Sequence, residues 1–214
     1  VDKHSVLEWI RGIGVIPVIR AQSPAEAAAA IAAIEAGGVS VFEITMTVPG
    51  AVDLIREVSR NAPGALVGAG TVLDPAAAQA CIDAGARFVI SPALNLDTIR
   101  ACNEAGVAVM PGALTPTEVL TAWNAGADMV KVFPANAMGG ASYLKSLKAP
   151  LPQVRLVPTG GVNLQTAKDF IKAGAEALGV GADLVDLAAL RRGETSVLTE
   201  RARQFLQLVR EARA

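Results

Sequence analysis

Residues 104–134 read EAGVAVMPGALTPTEVLTAWNAGADMVKVFP. Glycine at 106 can take the left-handed conformation that closes a helix, and a β-branched run, VAVMP at 107–111, follows at once. Thr115-Pro116 then opens a new helical pattern, with Glu118 three residues after the threonine as in a capping box. That pattern closes at Asn124-Ala125-Gly126, and the apolar run DMVKVF at 128–133 comes next. The helix–glycine–strand unit recurs as EAGG at 35–38, DAGAR at 83–87 and KAGAE at 172–176. Repetition of this unit predicts parallel strands joined by crossover helices.

Working outward from that stretch, strands are expected at 15–20, 40–45, 66–71, 87–91, 107–111, 128–133, 154–159 and 177–181. They start about 20–26 residues apart, room for one strand and one covering helix. Ser23-Pro24, Asp74-Pro75 and Asn163 mark further helix starts. Eight such units fit a closed (β/α)8 barrel better than an open sheet. A doubly wound sheet is the competing fold, but G-x-G-x-x-G is missing: GAG at 68–70 runs on into TVLDP, and no P-loop pattern occurs. Residues 1–14 are expected to form an extra N-terminal helix that plugs the barrel bottom, and 194–212 the last outer helix. The whole chain, 1–214, reads as one barrel domain without a linker.

Composition narrows the function. Apolar residues make up 52% and aromatics only 4%, a core of small and branched side chains suited to helices packed on parallel strands. Nineteen basic against 20 acidic residues, well interspersed, provide no field for a nucleic acid backbone. No run of 18 apolar residues and no signal-peptide pattern in VDKHSVLEWI is found, so a cytoplasmic protein without a membrane partner is expected. Cys81 and Cys102 read as buried reduced thiols. No metal is expected, because the only histidine is His4 and strand ends lack carboxylate pairs at ligand spacing.

In a barrel enzyme the chemistry gathers at the C-terminal strand ends, where the polar residues here are Arg20, Glu43, Thr45, Thr71, Ser91, Lys131 and Thr159. Alternation in Val130-Lys131-Val132 turns the valines toward the helices and Lys131 into the barrel. A buried ammonium is costly unless it is paired or neutral, and a neutral amine can attack a ketone to form an imine. A structural ion pair or simple anion binding are the alternatives for Lys131. Glu43 follows the same pattern between Phe42 and Ile44, either as proton shuttle or as a static partner of Lys131. Arg20, at the first strand's rim, suits a carboxylate or phosphate, or a rim ion pair. Thr159-Gly160-Gly161 and Gly179-Val180-Gly181-Ala182 follow the seventh and eighth strands, where barrels commonly hold phosphate on backbone amides; tight turns requiring glycine are the other reading.

These residues lie in segments that together resemble the 2-keto-3-deoxy-6-phosphogluconate (KDPG) aldolase family, which includes 4-hydroxy-2-oxoglutarate (KHG) aldolases. The segments are VIPVIRAQSPAEA (15–27), GGVSVFEITMTVPGA (37–51), GAGTVLDP (68–75), ISP (90–92), MPGALTPTE (110–118), KVFPA (131–135) and PTGGVN (158–163). The resemblance implies a cofactor-free class I aldolase of the Entner–Doudoroff type, a homotrimer, acting on a small keto acid phosphate. It implies an imine on Lys131 and acid–base work by Glu43. It places Arg20, Thr71, Thr47 and Pro92 around the substrate carboxylate, and Gly160, Gly161, Gly181 and Ala182 around the phosphate. The implied reaction cleaves KDPG to pyruvate and glyceraldehyde 3-phosphate, with KHG cleavage to pyruvate and glyoxylate as a second activity.

The chain departs from the family at two positions. Some members have EVTLRT where this sequence reads Glu43-Ile44-Thr45-Met46-Thr47, so Thr47 replaces their carboxylate-binding arginine and Arg20 is expected to supply the charge. Many members have serine where Ala182 stands, which weakens the expected phosphate selectivity and brings the 2-keto-3-deoxy-6-phosphogalactonate aldolase reaction into range. A non-imine phosphosugar isomerase or epimerase, or a sugar-phosphate-binding protein without catalysis, would share the phosphate loops but make no covalent adduct.

Overall fold

The structure, a computed structural model, describes residues 1–214. Its strands are β1 (Val15–Ile19), β2 (Val41–Thr45), β3 (Leu66–Gly70), β4 (Phe88–Ile90), β5 (Ala108–Met110), β6 (Gly112–Ala113), β7 (Val130–Val132), β8 (Leu156–Pro158) and β9 (Leu178–Val180). Its helices are α1 (Lys3–Ile13), α2 (Pro24–Glu35), α3 (Ala51–Asn61), α4 (Pro75–Asp83), α5 (Leu96–Glu104), α6 (Pro116–Asn124), α7 (Ala141–Lys148), α8 (Ala167–Lys172), α9 (Leu187–Arg191) and α10 (Thr195–Arg213). This is an α/β fold on a curled, all-parallel sheet. Its strands pair in the order β5-β4-β3-β2-β1-β9 and, separately, β6-β7-β8.

The two sheets approach each other at both ends. The strand expected at 107–111 is β5; after Pro111, which has no N–H for the ladder, pairing resumes as β6, and the Pro111 carbonyl accepts from Lys131 N at 2.9 Å. On the other side, Thr159 and Gly179 form a parallel bridge. The other expected strands exist, trimmed at one or both ends. Arg20, Thr71, Ser91, Phe133, Thr159 and Gly181 each stand one residue past a strand, because there the chain leaves the ladder for a loop. That is also where the polar residues gather.

Alternation along the strands divides the core into two layers. Phe42, Ile44, Val67, Val89, Val130 and Val132 pack outward against the helices. Ile16, Val41, Leu66, Phe88, Ile90, Met110, Met129 and Val157 point inward and form a second cluster. Val6, Leu7 and Ile10 of α1 complete that inner cluster, so the N-terminal helix seals one end of the curled sheet. Aspartate at 2 caps α1 on Ser5 N, and Lys3 ties it down to Asp128 at 2.9 Å. The inner layer requires glycine at 68: a Cβ there would stand 2.3 Å from the Phe88 ring.

Most helix starts follow the sequence reading. Ser23 and Asp74 accept from Glu26 N and Ala77 N. Thr115 and Glu118 form the reciprocal box, and the two backbone N–H groups of Leu114 and Thr115 hold the Glu118 carboxyl below the usual range. The exception is Asn163. Its side chain accepts from Gln165 N and Thr166 N in a local turn, and α8 begins only at Ala167. The closing glycines at 38, 85, 106, 126 and 174 all have positive φ. No helix is long and apolar enough to cross a membrane.

Cys81 and Cys102 are free and buried, and burial pushes both thiols up to about 11. At pH 8 their thiolate fraction is then roughly one in a thousand. Native protein is therefore expected to resist iodoacetamide at pH 8, with both thiols alkylated only after denaturation, as read by intact mass. Gly68→Ala is expected to lower stability by about 1–3 kcal/mol through overpacking against Phe88, measurable as a reduced Tm.

Candidate active site

The site is built on the inward positions nearest the C-terminal strand ends. In β7, Lys131 lies between the outward Val130 and Val132; in β2, Glu43 lies between the outward Phe42 and Ile44. Both point inside, where Lys131 Nζ stands 3.6 Å from Glu43 Oε1, with side chains only 6% and 1% exposed. Glu43 Oε1 has no hydrogen-bond partner in the chain. The Phe133 ring lies under Lys131 Nζ, 5.4 Å to its centroid, and supplies cation–π attraction.

Space for this pair comes from glycine. A Cβ at Gly70 would lie 2.0 Å from Glu43 Oε1, so the carboxylate occupies the volume that a side chain on β3 would fill. A Cβ at Gly179 would meet Thr159 Oγ1 at 2.1 Å. The G-A-G of β3 carried no functional meaning when read alone. Its signal was the placement of two side-chain-free residues, Gly68 and Gly70, at the inward positions of β3.

Above the pair opens a cavity of about 280 Å³ whose wall includes Arg20, Thr71, Pro92, Lys131, Phe133 and Thr159. Gly160, Gly161, Gly181 and Ala182 complete one side. Eight of the ten expected site residues are thus brought together here. Glu43 lies beneath, in contact with Lys131, and Thr47 is not part of the wall. Thr47 instead hydrogen-bonds Thr45 Oγ1 at 2.7 Å. This bond ties the hydroxyl to the end of β2. Val18, Val162 and Asp183 line the cavity without having been singled out; Val18 sits at an inward position of β1, the one sequence signal available.

Two backbone features stand out. Thr71 has φ 56, the only non-glycine residue with positive φ. For a β-branched residue this is a strained conformation, and such strain persists where surrounding structure imposes it, often at binding sites. Gly160 and Gly161 have φ 97 and 71, and the amides of Gly160, Gly161, Gly181 and Ala182 donate to nothing in the chain. Converging free amides of this kind form an anion-binding concavity. Arg20 is exposed at the same rim and forms no ion pair with any carboxylate of the chain. The arrangement thus offers a buried amine with an adjacent carboxylate, under an opening lined by anion donors.

A family model described as "Aldolase: KDPG and KHG aldolase" matches residues 6–200. The chain belongs to this aldolase family. It is therefore an aldehyde-lyase. It is 36% identical over 193 residues to the "KHG/KDPG aldolase" of Escherichia coli (strain K12), covering 90% of this chain and 91% of the relative. Among solved structures it resembles the KDPG aldolase from Legionella pneumophila with pyruvate captured at low pH as a covalent carbinolamine intermediate. That match has a TM-score of 0.86 at 30% identity, covering 92% of this chain and 96% of the other. A native KDPGal structure matches with a TM-score of 0.83 at 34% identity, covering 92% and 95%.

Gly70 gives the site its sharpest steric test. Gly70→Ala is expected to displace the Glu43 carboxylate and reduce aldol turnover by about 100-fold, the range for a displaced group in an active site, while the folded protein persists. Steady-state kinetics beside circular dichroism would check it.

Proposed function

We propose that this aldolase cleaves KDPG to pyruvate and glyceraldehyde 3-phosphate by a class I, imine-forming mechanism. The scaffold is then a closed (β/α)8 barrel with α1 as an extra N-terminal helix. Continuity of β5 and β6 across Pro111 and the Thr159–Gly179 bridge support that closure. The observation that carries the reaction is the buried Lys131–Glu43 pair at the base of a cavity rimmed by free amides.

In this reading Lys131 Nζ adds to the C2 ketone, and loss of water leaves a cationic imine. Glu43 removes the C4 hydroxyl proton, directly or through a water. The C3–C4 bond breaks with its electrons drawn into the iminium, and glyceraldehyde 3-phosphate departs. The enamine is protonated at C3 by the Glu43 side, and hydrolysis of the imine releases pyruvate and restores the amine. Glu43 acts first as base and then as acid, which its contact with Lys131 makes geometrically direct. Arg20, Thr71 and Pro92 surround the keto-acid carboxylate, with Arg20 as its only cationic contact besides Lys131. The amides of Gly160, Gly161, Gly181 and Ala182 hold the phosphate. Capture of pyruvate as a carbinolamine in the Legionella pneumophila relative supports amine addition to the same ketone.

A second substrate is favoured by particular observations. Ala182 adds no hydroxyl to the phosphate rim, so the site depends less on a phosphoryl group. The E. coli relative's name includes KHG, and the KDPGal structure matches at 34% identity. Cleavage of KHG to pyruvate and glyoxylate, and of the phosphogalactonate epimer, are the side activities this reading admits.

Borohydride reduction in the presence of pyruvate is expected to fix a pyruvyl adduct on Lys131, located by intact mass and peptide mapping. Lys131→Arg should give none, and Glu43→Gln should form adduct yet lose about 100-fold or more in turnover. Folded wild-type protein that binds pyruvate without trapping would move the assignment to a phosphosugar isomerase or epimerase.

A further inference from the structure

A second cavity, of about 610 Å³, adjoins the one above Lys131 and Glu43. The two share a wall, because Val18, Arg20, Gly181, Ala182 and Asp183 line both. Past that wall the second cavity is lined by Val185, Asp186, Leu187, Ala188 and Arg201, none of which the reaction above uses.

The wall is fixed by the fold. Leu184 N and Val185 N both donate to the Gly181 carbonyl, at 3.0 and 2.9 Å, so the chain turns sharply after β9. Asp186 caps α9 on Ala189 N at 2.9 Å. Arg201 of α10 then reaches the Asp186 carboxylate at 3.1 Å and the Asp183 carbonyl at 3.2 Å. The loop between β9 and α9 is held at each of these points, and the space beside it needs no ligand to form. Its crest is low: residue 182 carries only a methyl, and Ala182 and Asp183 are both exposed.

An imine on Lys131 fixes one end of the substrate. The distal carbons then extend toward the amides of Gly181 and Ala182, and the second cavity begins at those residues. The shared wall carries Arg20 and Asp183, neither of which enters an ion pair. It therefore offers free donors beside a free acceptor, and a hydroxyl group uses both. Arg201 is already neutralised by Asp186, so a phosphate in this space would face Asp183 with little compensation. A neutral, hydroxylated chain matches the lining. We infer that the second cavity receives the distal carbons of aldehydes longer than three carbons, so that this aldolase also joins pyruvate to four- and five-carbon unphosphorylated aldoses and cleaves the resulting 2-keto-3-deoxy sugar acids. The bond formed is the one broken above: the enamine carbon attacks the aldehyde carbon, and the aldehyde oxygen takes its proton from the Glu43 side. This widens the substrate class of the same site and rests on the imine reading of Lys131.

The test is condensation of pyruvate with glyceraldehyde 3-phosphate, glyceraldehyde, erythrose and ribose, read as kcat/KM for each aldehyde from the mass-resolved product. It is run on wild type, Ala188→Leu and Ala188→Trp, with circular dichroism to show which variants are folded. Ala188 is exposed and lines the second cavity but not the first, so a larger side chain fills that space alone. Each aldehyde is compared with itself across variants, which cancels its open-chain fraction. Ala188→Trp is expected to change kcat/KM for glyceraldehyde less than about twofold and to lower that for ribose by about tenfold or more, the discrimination that pocket contacts of a few atoms supply. Ala188→Leu should show the same order of losses at smaller size. Wild type that condenses glyceraldehyde 3-phosphate but neither erythrose nor ribose would overturn the inference and leave the aldolase reading intact. Folded variants that alter every aldehyde alike, or none, would do the same. Absence of any condensation, together with no borohydride adduct on Lys131, would sink the imine reading and the inference with it.

Discussion

The structure turns on an ammonium and a carboxylate held together inside a curled sheet. Lys131 and Glu43 are almost wholly buried and 3.6 Å apart. Neither charge is stable there alone: removing one partner of a buried pair typically costs about 3–5 kcal/mol. Each therefore requires the other, and each requires its strand to alternate strictly so that valine, phenylalanine and isoleucine face the helices while the charge faces inward. Much of the molecule can be understood as what makes that placement tolerable.

Three features do so. Room comes from Gly70, whose missing side chain leaves the volume Glu43 occupies, and from Gly68, which does the same for Phe88 one layer below. Water is kept from one end by α1, whose Val6, Leu7 and Ile10 join the inward strand residues in a dry cluster. The other end stays open and polar, because Arg20, Thr71, Phe133, Thr159 and Gly181, each one residue past a strand, line the cavity above the pair. The same curled sheet thus has a sealed apolar floor that provides stability and an open polar mouth that provides chemistry. Thr71 shows the balance: a strained backbone is retained where the cavity wall needs it, and the surrounding packing carries the cost.

Much of this was legible because it is local. Helix caps at Ser23, Asp74 and Thr115 depend on residues three positions apart, and the sequence displays them. The inward direction of Lys131 and Glu43 follows from their immediate neighbours. Asn163 was misread because an Asx turn and a helix cap use the same side chain on nearby amides, and only the following φ and ψ values distinguish them. The contacts of Thr47 were not legible for a different reason: its hydroxyl pairs with Thr45 Oγ1, whose own partner is the Ile19 carbonyl of another strand.

By itself, then, the sequence determined the repeating helix–glycine–strand units, the faces of the strands and the inward placement of Lys131 and Glu43. Each of these is encoded in residues a few positions apart, and the period of backbone geometry converts spacing into direction. The tertiary structure alone decided the 3.6 Å between Lys131 and Glu43, the use of Gly70 as carboxylate space, and the free amides of two separate loops converging on one cavity. Those distances join segments more than 80 residues apart in the case of Lys131 and Glu43. Strand register, sheet curvature and side-chain volume set them together, and no short stretch of sequence contains all three.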